Sequence, residues 1–396
     1  ELQEELAQFA MAGGDREITP LIGAGSQPGT MAVELKVQDQ LPLSAGIELN
    51  NRQSPDTRSG RMALDLSADD LFQRGHALSL NWLVSPRARE EADIVSLLYQ
   101  VPVRLLGRAD DRLSLGWTHS NSSAFTALGG NTVSRGDTWR LRLRHSLPAP
   151  EQLNHALTAG LNIHDLKDRT LTQGLASGPS PALRYPAFTL SYDLAWLPAP
   201  GQVQRSTQLQ LQLTASLPGL SRRMVDCDGA GTLRDQFDCK RTGARPAFQV
   251  LGASLQHREP IGRGHLGLRV QAQFADSPLV SGEQAAYGGV DSVRGYQDGQ
   301  IAGDLGTSLR LELGAPAWLP LPGWRLQGLA FVDAAYVRRW QPLPGEVLDS
   351  HLASTGLGLQ VDTPLGMQAT LSWARLMVER GGRHGQQFDL ALRQRF

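Results

Sequence analysis

The chain has 396 residues, a formal net charge of −1 and a mean hydropathy of −0.26. The 42 glycines, the scarcity of lysine and the near-neutral charge argue against a nucleic-acid binder, which carries a basic patch. No run approaches the ~18 apolar residues of a transmembrane helix. A transmembrane barrel is not thereby excluded, because it hides its apolar face in every second residue and looks soluble on average. The sequence starts at Glu1 without Met and shows no signal peptide, so it reads as a mature or truncated chain.

Residues 1–40 differ from the rest. Glu1 to Met11 is helix-like, with Leu2, Leu6, Phe9 and Ala10 on one face and acids near its start. Ile18–Ile22 and Met31–Val37 follow as two short strands, joined through the turn Gln27-Pro28-Gly29.

Alternation takes over from Leu41. Trp139, Leu141 and Leu143 share one face of a strand whose other face carries Arg140, Arg142 and Arg144. The run from Gln208 to Leu213 repeats the period of two with Gln in place of Arg. One such strand decides nothing, since a soluble sandwich also alternates. The number of strands decides. Sixteen segments fit, over 42–51, 60–68, 76–85, 92–101, 112–121, 137–146, 155–165, 183–196, 203–217, 246–258, 264–276, 307–316, 324–338, 351–361, 367–378 and 387–396. Short connections (69–75, 148–154, 198–202, 259–263, 363–366) alternate with long ones (122–136, 166–182, 218–245, 277–306, 339–350). That is the plan of an outer-membrane barrel, with periplasmic turns such as 69–75 and cell-surface loops such as 218–245. Trp196, Trp318, Trp324 and Trp340 near strand ends suit an aromatic girdle.

Two loops stand out. Cys227 and Cys239 are the only cysteines, and they sit in a polar stretch rich in Asp, Gly and Arg. A disulfide pinning that loop fits an oxidising compartment, with two free thiols as the alternative. Zinc needs two further ligands, and no nearby His completes a standard spacing. The second loop carries Gly288-Gly289-Val290-Asp291-Ser292-Val293-Arg294-Gly295-Tyr296, an Arg set among glycines that permit sharp turns. Downstream, Phe331 and Asp333 share one face of a predicted strand, where a carboxylate facing the lumen is placed to hold an Arg from an infolded loop.

These segments resemble an outer-membrane superfamily that transports or assembles other polypeptides. Val293-Arg294-Gly295-Tyr296 resembles its Val-Arg-Gly-Tyr/Phe loop motif. Phe331 and Asp333 resemble its Phe-x-Asp-x-Gly strand motif, with Ala335 standing where Gly is usual. Residues 1–40 resemble the C-terminal half of a POTRA domain, the family's periplasmic module, and Ser26–Thr30 its last hairpin. Leu43–Asn51 resembles the first barrel strand of two-partner secretion transporters (the TpsB family), and Asp70–Leu80 their first periplasmic turn and third strand. The terminal aromatic Phe396 resembles a barrel-assembly targeting signal. The resemblance implies an all-β fold: a 16-stranded transmembrane antiparallel β-barrel over 41–396, preceded over 1–40 by part of a periplasmic α/β POTRA domain. It implies an ATP-independent exporter of a TpsA-type adhesin or haemolysin, with Arg294 in the lumen paired to Asp333 and no cofactor or metal. Implied contacts are the secreted exoprotein, outer-membrane lipid and lipopolysaccharide, and the barrel-assembly machinery during biogenesis, with no nucleic acid.

Enzymatic readings find little support. There is no Gly-x-Ser-x-Gly, His-Glu-x-x-His or P-loop. His164-Asp165 and His119-Ser120 are adjacent pairs, which face opposite sides of a strand. A passive diffusion porin would explain a barrel with a polar lumen, but neither the half-module nor the Arg motif. A barrel-assembly factor shares both, while the first-strand and turn sequences favour the secretion branch.

Overall fold

A computed structural model describes residues 16–25, 27, 30–39, 41–55, 57–104, 111–121, 135–150, 152–167, 171–172, 175–176, 181–196, 198, 205–227, 231–342, 345–379 and 385–396. Sixteen strands close into one antiparallel barrel. In chain order they are β1 (Leu43–Asn50), β2 (Arg61–Leu71), β3 (His76–Val84), β4 (Asp93–Val103), β5 (Asp111–Ser120), β6 (Gly136–Ser146), β7 (Leu153–Leu166) and β8 (Leu183–Trp196). The second half comprises β9 (Ser206–Ala215), β10 (Gln249–Ile261), β11 (Gly264–Ala275), β12 (Leu305–Gly314), β13 (Arg325–Arg338), β14 (Asp349–Asp362), β15 (Met367–Leu376) and β16 (Gln386–Arg395). Each pairs with its neighbours in sequence, and β16 pairs with β1 from Ala391↔Asn50 to Arg395↔Gly46. Closure removes the unpaired edges that an open sheet would expose.

Every predicted segment overlaps one barrel strand, and the differences lie at the edges. β4 runs on through Pro102 to Val103, and β10 through Pro260 to Ile261. Proline lacks an N–H and signals a turn, yet at a strand end the missing donor removes little. β2 likewise extends to Leu71 across a bulge between Ala68 and Leu71. The tight turn that follows holds Phe72 and Gln73 at positive φ.

Pairing register sets the two faces. On β12, Leu309, Leu311 and Leu313 are exposed to the outside, whereas Ser308, Arg310 and Glu312 point inward opposite Ala335, Asp333 and Phe331 of β13. The inside is therefore polar and the outside apolar, as a bilayer requires. Strand parity puts the turns at 72–75, 262–263 and 363–366 on one rim. The long loops 216–248 and 276–304 lie on the other.

The N-terminal strands form a separate hairpin, Arg16–Ala24 against Met31–Asp39. The helix expected over 1–11 lies outside the described residues, as do Pro28 and Gly29 of its turn. Trp340 is no girdle residue. Its indole donates to the Ala275 carbonyl at 3.0 Å and its backbone N–H to Asp304, so it belongs to the packing of the long loops.

Candidate functional site

The loop 276–304 folds back into the barrel, and Arg294 is its anchor. Nε and Nη2 of Arg294 donate to the two carboxylate oxygens of Asp333 at 2.7 and 2.8 Å, and its backbone N–H donates to Asp333 at 3.1 Å. Its Nη1 meets Glu312 at 2.8 Å. The guanidinium carbon lies 3.5 Å from the Phe331 ring centroid, a cation–π contact. Asp333 is wholly buried and Arg294 nearly so. A planar fork on a carboxylate fixes orientation as well as charge, so this contact aims the loop as well as holding it.

The strands supply this geometry through their period of two. Phe331, Asp333 and Ala335 share the inner face of β13, and cross-strand register sets Arg310 and Glu312 beside them. Arg310 donates to the Val290 carbonyl of the loop at 2.8 Å and to Glu312 at 2.9 Å. Both residues carried a sequence signal, namely their inward alternation on the strand before the Phe331/Asp333 strand.

Beyond Arg294 the loop crosses the lumen. The Gly295 N–H donates to Asp389 of β16 at 3.1 Å. Gly295 has φ +86°, and a Cβ there would come within 2.8 Å of Ala374 and Leu376 on β15. The position therefore requires glycine on both conformational and steric grounds. The Tyr296 hydroxyl lies 2.9 Å from the Ala353 carbonyl and 2.6 Å from that of Val378. Burial raises the Tyr296 hydroxyl's pKa, so it stays protonated and able to donate. Val293 is fully buried in one apolar cluster with Tyr296, Ala335, Val337 and Leu352. The methyl of Ala335, where the resembling motif has Gly, is thus accommodated by packing. At the far side Arg52, from the β1–β2 loop, bridges Asp298 at 2.9 Å and Asp291 at 2.6 Å.

A second buried ion pair escaped the sequence reading. Asp304, fully buried just before β12, receives Nη1 and Nη2 of Arg241, the latter at 2.8 Å. It also accepts the backbone N–H groups of Leu279 at 2.9 Å and Trp340 at 2.6 Å. Arg241 in turn donates to the carbonyls of Leu279 and Trp340. It belongs to loop 216–248, which a Cys227–Cys239 disulfide braces with Cα atoms 5.5 Å apart. Neither charge lies in a recognisable motif. The available hint was a lone acid between glycines at a strand start, Gly303-Asp304-Leu305-Gly306.

Among the described residues no group of His, Cys, Asp or Glu could hold a metal ion. His119 contacts Asp137 at 2.9 Å and His164 lies 3.8 Å from Glu283.

Residues 201–361 match the family model described as haemolysin secretion/activation protein ShlB/FhaC/HecB. That stretch holds β9 to the end of β14 bar one residue, both infolded loops, Arg294 and Asp333. The chain is 26% identical over 378 residues to the outer membrane transporter CdiB of Escherichia coli O6:K15:H31 (strain 536 / UPEC), covering 88% of this chain and 53% of that protein. The chain is similar to the secretion proteins and outer membrane transporters that these comparisons name. Identity to the CdiB of Dickeya dadantii (strain 3937) is 23% over 373 residues, covering 90% of this chain and 61% of the relative. The chain spans little more than half the length of the curated relatives it matches. Its fold is that of the solved CdiB from Escherichia coli (TM-score 0.73, 18% identity, 100% of this chain and 70% of that one). BamA from Haemophilus ducreyi lacking POTRA domains 1–3 shares the fold (TM-score 0.63, 15% identity, 100% and 78% covered). The matched family model and the relatives are described as a secretion/activation protein and as outer membrane transporters.

Proposed function

We propose that this barrel exports a large partner polypeptide, of the TpsA adhesin or haemolysin type, across the outer membrane without ATP. The Arg294 loop is the removable constriction in its lumen. The observation that carries this reading is the Arg294–Asp333 pair, nearly or wholly buried at each partner, which holds a long loop inside a polar channel. A passive porin has no use for it. The hairpin over 16–39 is read as the end of a periplasmic POTRA module that receives the partner. The exposed leucines of the outer face contact outer-membrane lipid and lipopolysaccharide, and terminal Phe396 engages the barrel-assembly machinery during biogenesis.

A buried ion pair is costly to break from one side, since removing one partner strands the other charge, at about 3–5 kcal/mol. Arg294→Ala and Asp333→Ala should each leave an inserted barrel but lower secretion of the partner. The double variant should be little worse than either single one, because both act through one contact. Arg294→Lys should also fail, since Lys lacks the fork. A secretion assay, with heat-modifiable gel migration as the control for the barrel, makes the test. Full secretion by Arg294→Ala, or strictly additive losses, would remove the latch from the mechanism. Restored insertion of other barrels by this chain would support the assembly-factor alternative instead.

A further inference from the structure

The lumen is closed by more than the Arg294 loop. Loop 216–248 turns inward at the long-loop rim and packs Phe237, Ala244 and Phe248 onto the inner wall. The wall residues are Tyr185 and Leu183 at the start of β8 and Leu166 at the end of β7. Phe237 lies 5.1 Å from Tyr185 and 6.0 Å from Phe248, ring centroid to ring centroid, and all three are buried. Gln236, also buried, seals the base by donating to the Arg184 carbonyl at 2.8 Å and accepting the Arg184 N–H at 3.0 Å. Leu279 and Val280 of the Arg294 loop belong to the same apolar cluster. The Arg241–Asp304 pair joins the two loops a second time, and both its charges are withdrawn from water.

We propose that loop 216–248 is a cover seated in the cell-surface mouth, coupled to the Arg294 loop through Arg241 and Asp304, so that the two leave the lumen together. The physical reason is that neither loop can move alone without stranding a buried charge. If the Arg294 loop withdraws, Asp304 loses its guanidinium. If the cover lifts, Asp304 is left buried and unpaired beside the Leu279 and Trp340 N–H groups. Coupling of this kind is reciprocal, so a change in either loop must be felt in the other. The opening step rests on the export reading above, whereas the coupling does not.

Hydrogen exchange read by mass spectrometry on the purified full chain separates the two. Arg241→Gln alters only the cover, yet exchange should quicken roughly tenfold or more both in 236–248 and in 276–304, with β3–β5 unchanged. Asp304→Asn should produce the same paired effect. Phe237→Leu, which loosens the cover without touching the ion pair, should again quicken both segments. It serves as the informative variant if the charge changes block insertion on a heat-modifiable gel. Acceleration confined to the substituted loop, or none in a folded barrel, overturns the coupling. Intact coupling in a chain that secretes no partner polypeptide would instead sink the export reading and leave this one standing.

Discussion

Glu283 shows how one side chain in these loops converts burial into pH dependence. It lies in a short helical turn, Ser281–Glu283, with the Tyr185 hydroxyl of β8 donating to it at 2.6 Å and His164 of β7 at 3.8 Å. Burial pushes its carboxyl up to about 7, and the Tyr185 hydrogen bond only partly opposes this. A carboxyl whose folded value is raised binds more protons docked than undocked, so docking weakens as pH rises. The contribution is complete below the ordinary carboxylate value and lost through about pH 7. Exchange in 276–304, corrected for intrinsic rates, should therefore accelerate over that window. Glu283→Gln should flatten the dependence; an unchanged profile in that variant would assign it to another group. Gly295 is the other single-residue test. With φ +86° and no room for a Cβ, Gly295→Ala should undock the loop tip at a cost of at least ~1–2 kcal/mol, read as faster exchange at Tyr296.

At the scale of elements, the disulfide is a brace on the cover rather than on the barrel. It closes a ring over a sequence separation of 12 residues, tying the end of the first strand of a small hairpin (Met224–Asp226 with Leu233–Asp235) to the one-turn helix Gln236–Lys240. In the chain-entropy model a ring of this size contributes about 3 kcal/mol to the ordered loop. Replacing both cysteines by Ser should leave heat-modifiable migration unchanged while making 216–248 more sensitive to protease; a lost barrel would show the bond to be needed for assembly. The same scale explains what was legible in the sequence. The sixteen strands were readable because lumen and lipid impose opposite polarities on alternate residues, as in Gln208–Leu213. Edges failed where local chemistry and ladder disagreed, at Pro102, Pro260 and Leu71. Arg294 and Asp333 were readable because each sits in a patterned setting. Arg241 and Asp304 were not, since they meet only after two irregular loops pack, and no periodicity records that meeting.

The whole molecule is a barrel whose inner wall is not evenly charged. Arg140 and Arg142 stand in a row on the inner face of β6 and donate to neutral partners: Arg140 to Thr118 at 2.8 Å, Arg142 to Thr189 at 3.0 Å and Asn162 at 3.3 Å. Among the described residues no carboxylate lies within ion-pair distance of either. At the short-turn rim a cavity of about 230 Å³ is lined by Arg258, Arg263, His265 and Arg325. Acids on the β12–β13 side are instead engaged, Asp333 and Glu312 by Arg294 and Arg310. The stretch of wall along β6 therefore carries a local positive charge, and in a confined lumen such charge concentrates counter-ions far more than on an open surface. The open channel should favour anions, read as the reversal potential of single barrels in a planar bilayer under a salt gradient. Arg140→Gln with Arg142→Gln should shift that potential toward cation preference without altering the folded barrel, because amides keep the hydrogen bonds and lose only the charge. High salt should shrink the difference, since the Debye length falls to about 3 Å at 1 M and screens the wall from the middle of the channel. A shift independent of salt would mean that the variant had changed pore shape, and an absent shift that ions take a path away from β6.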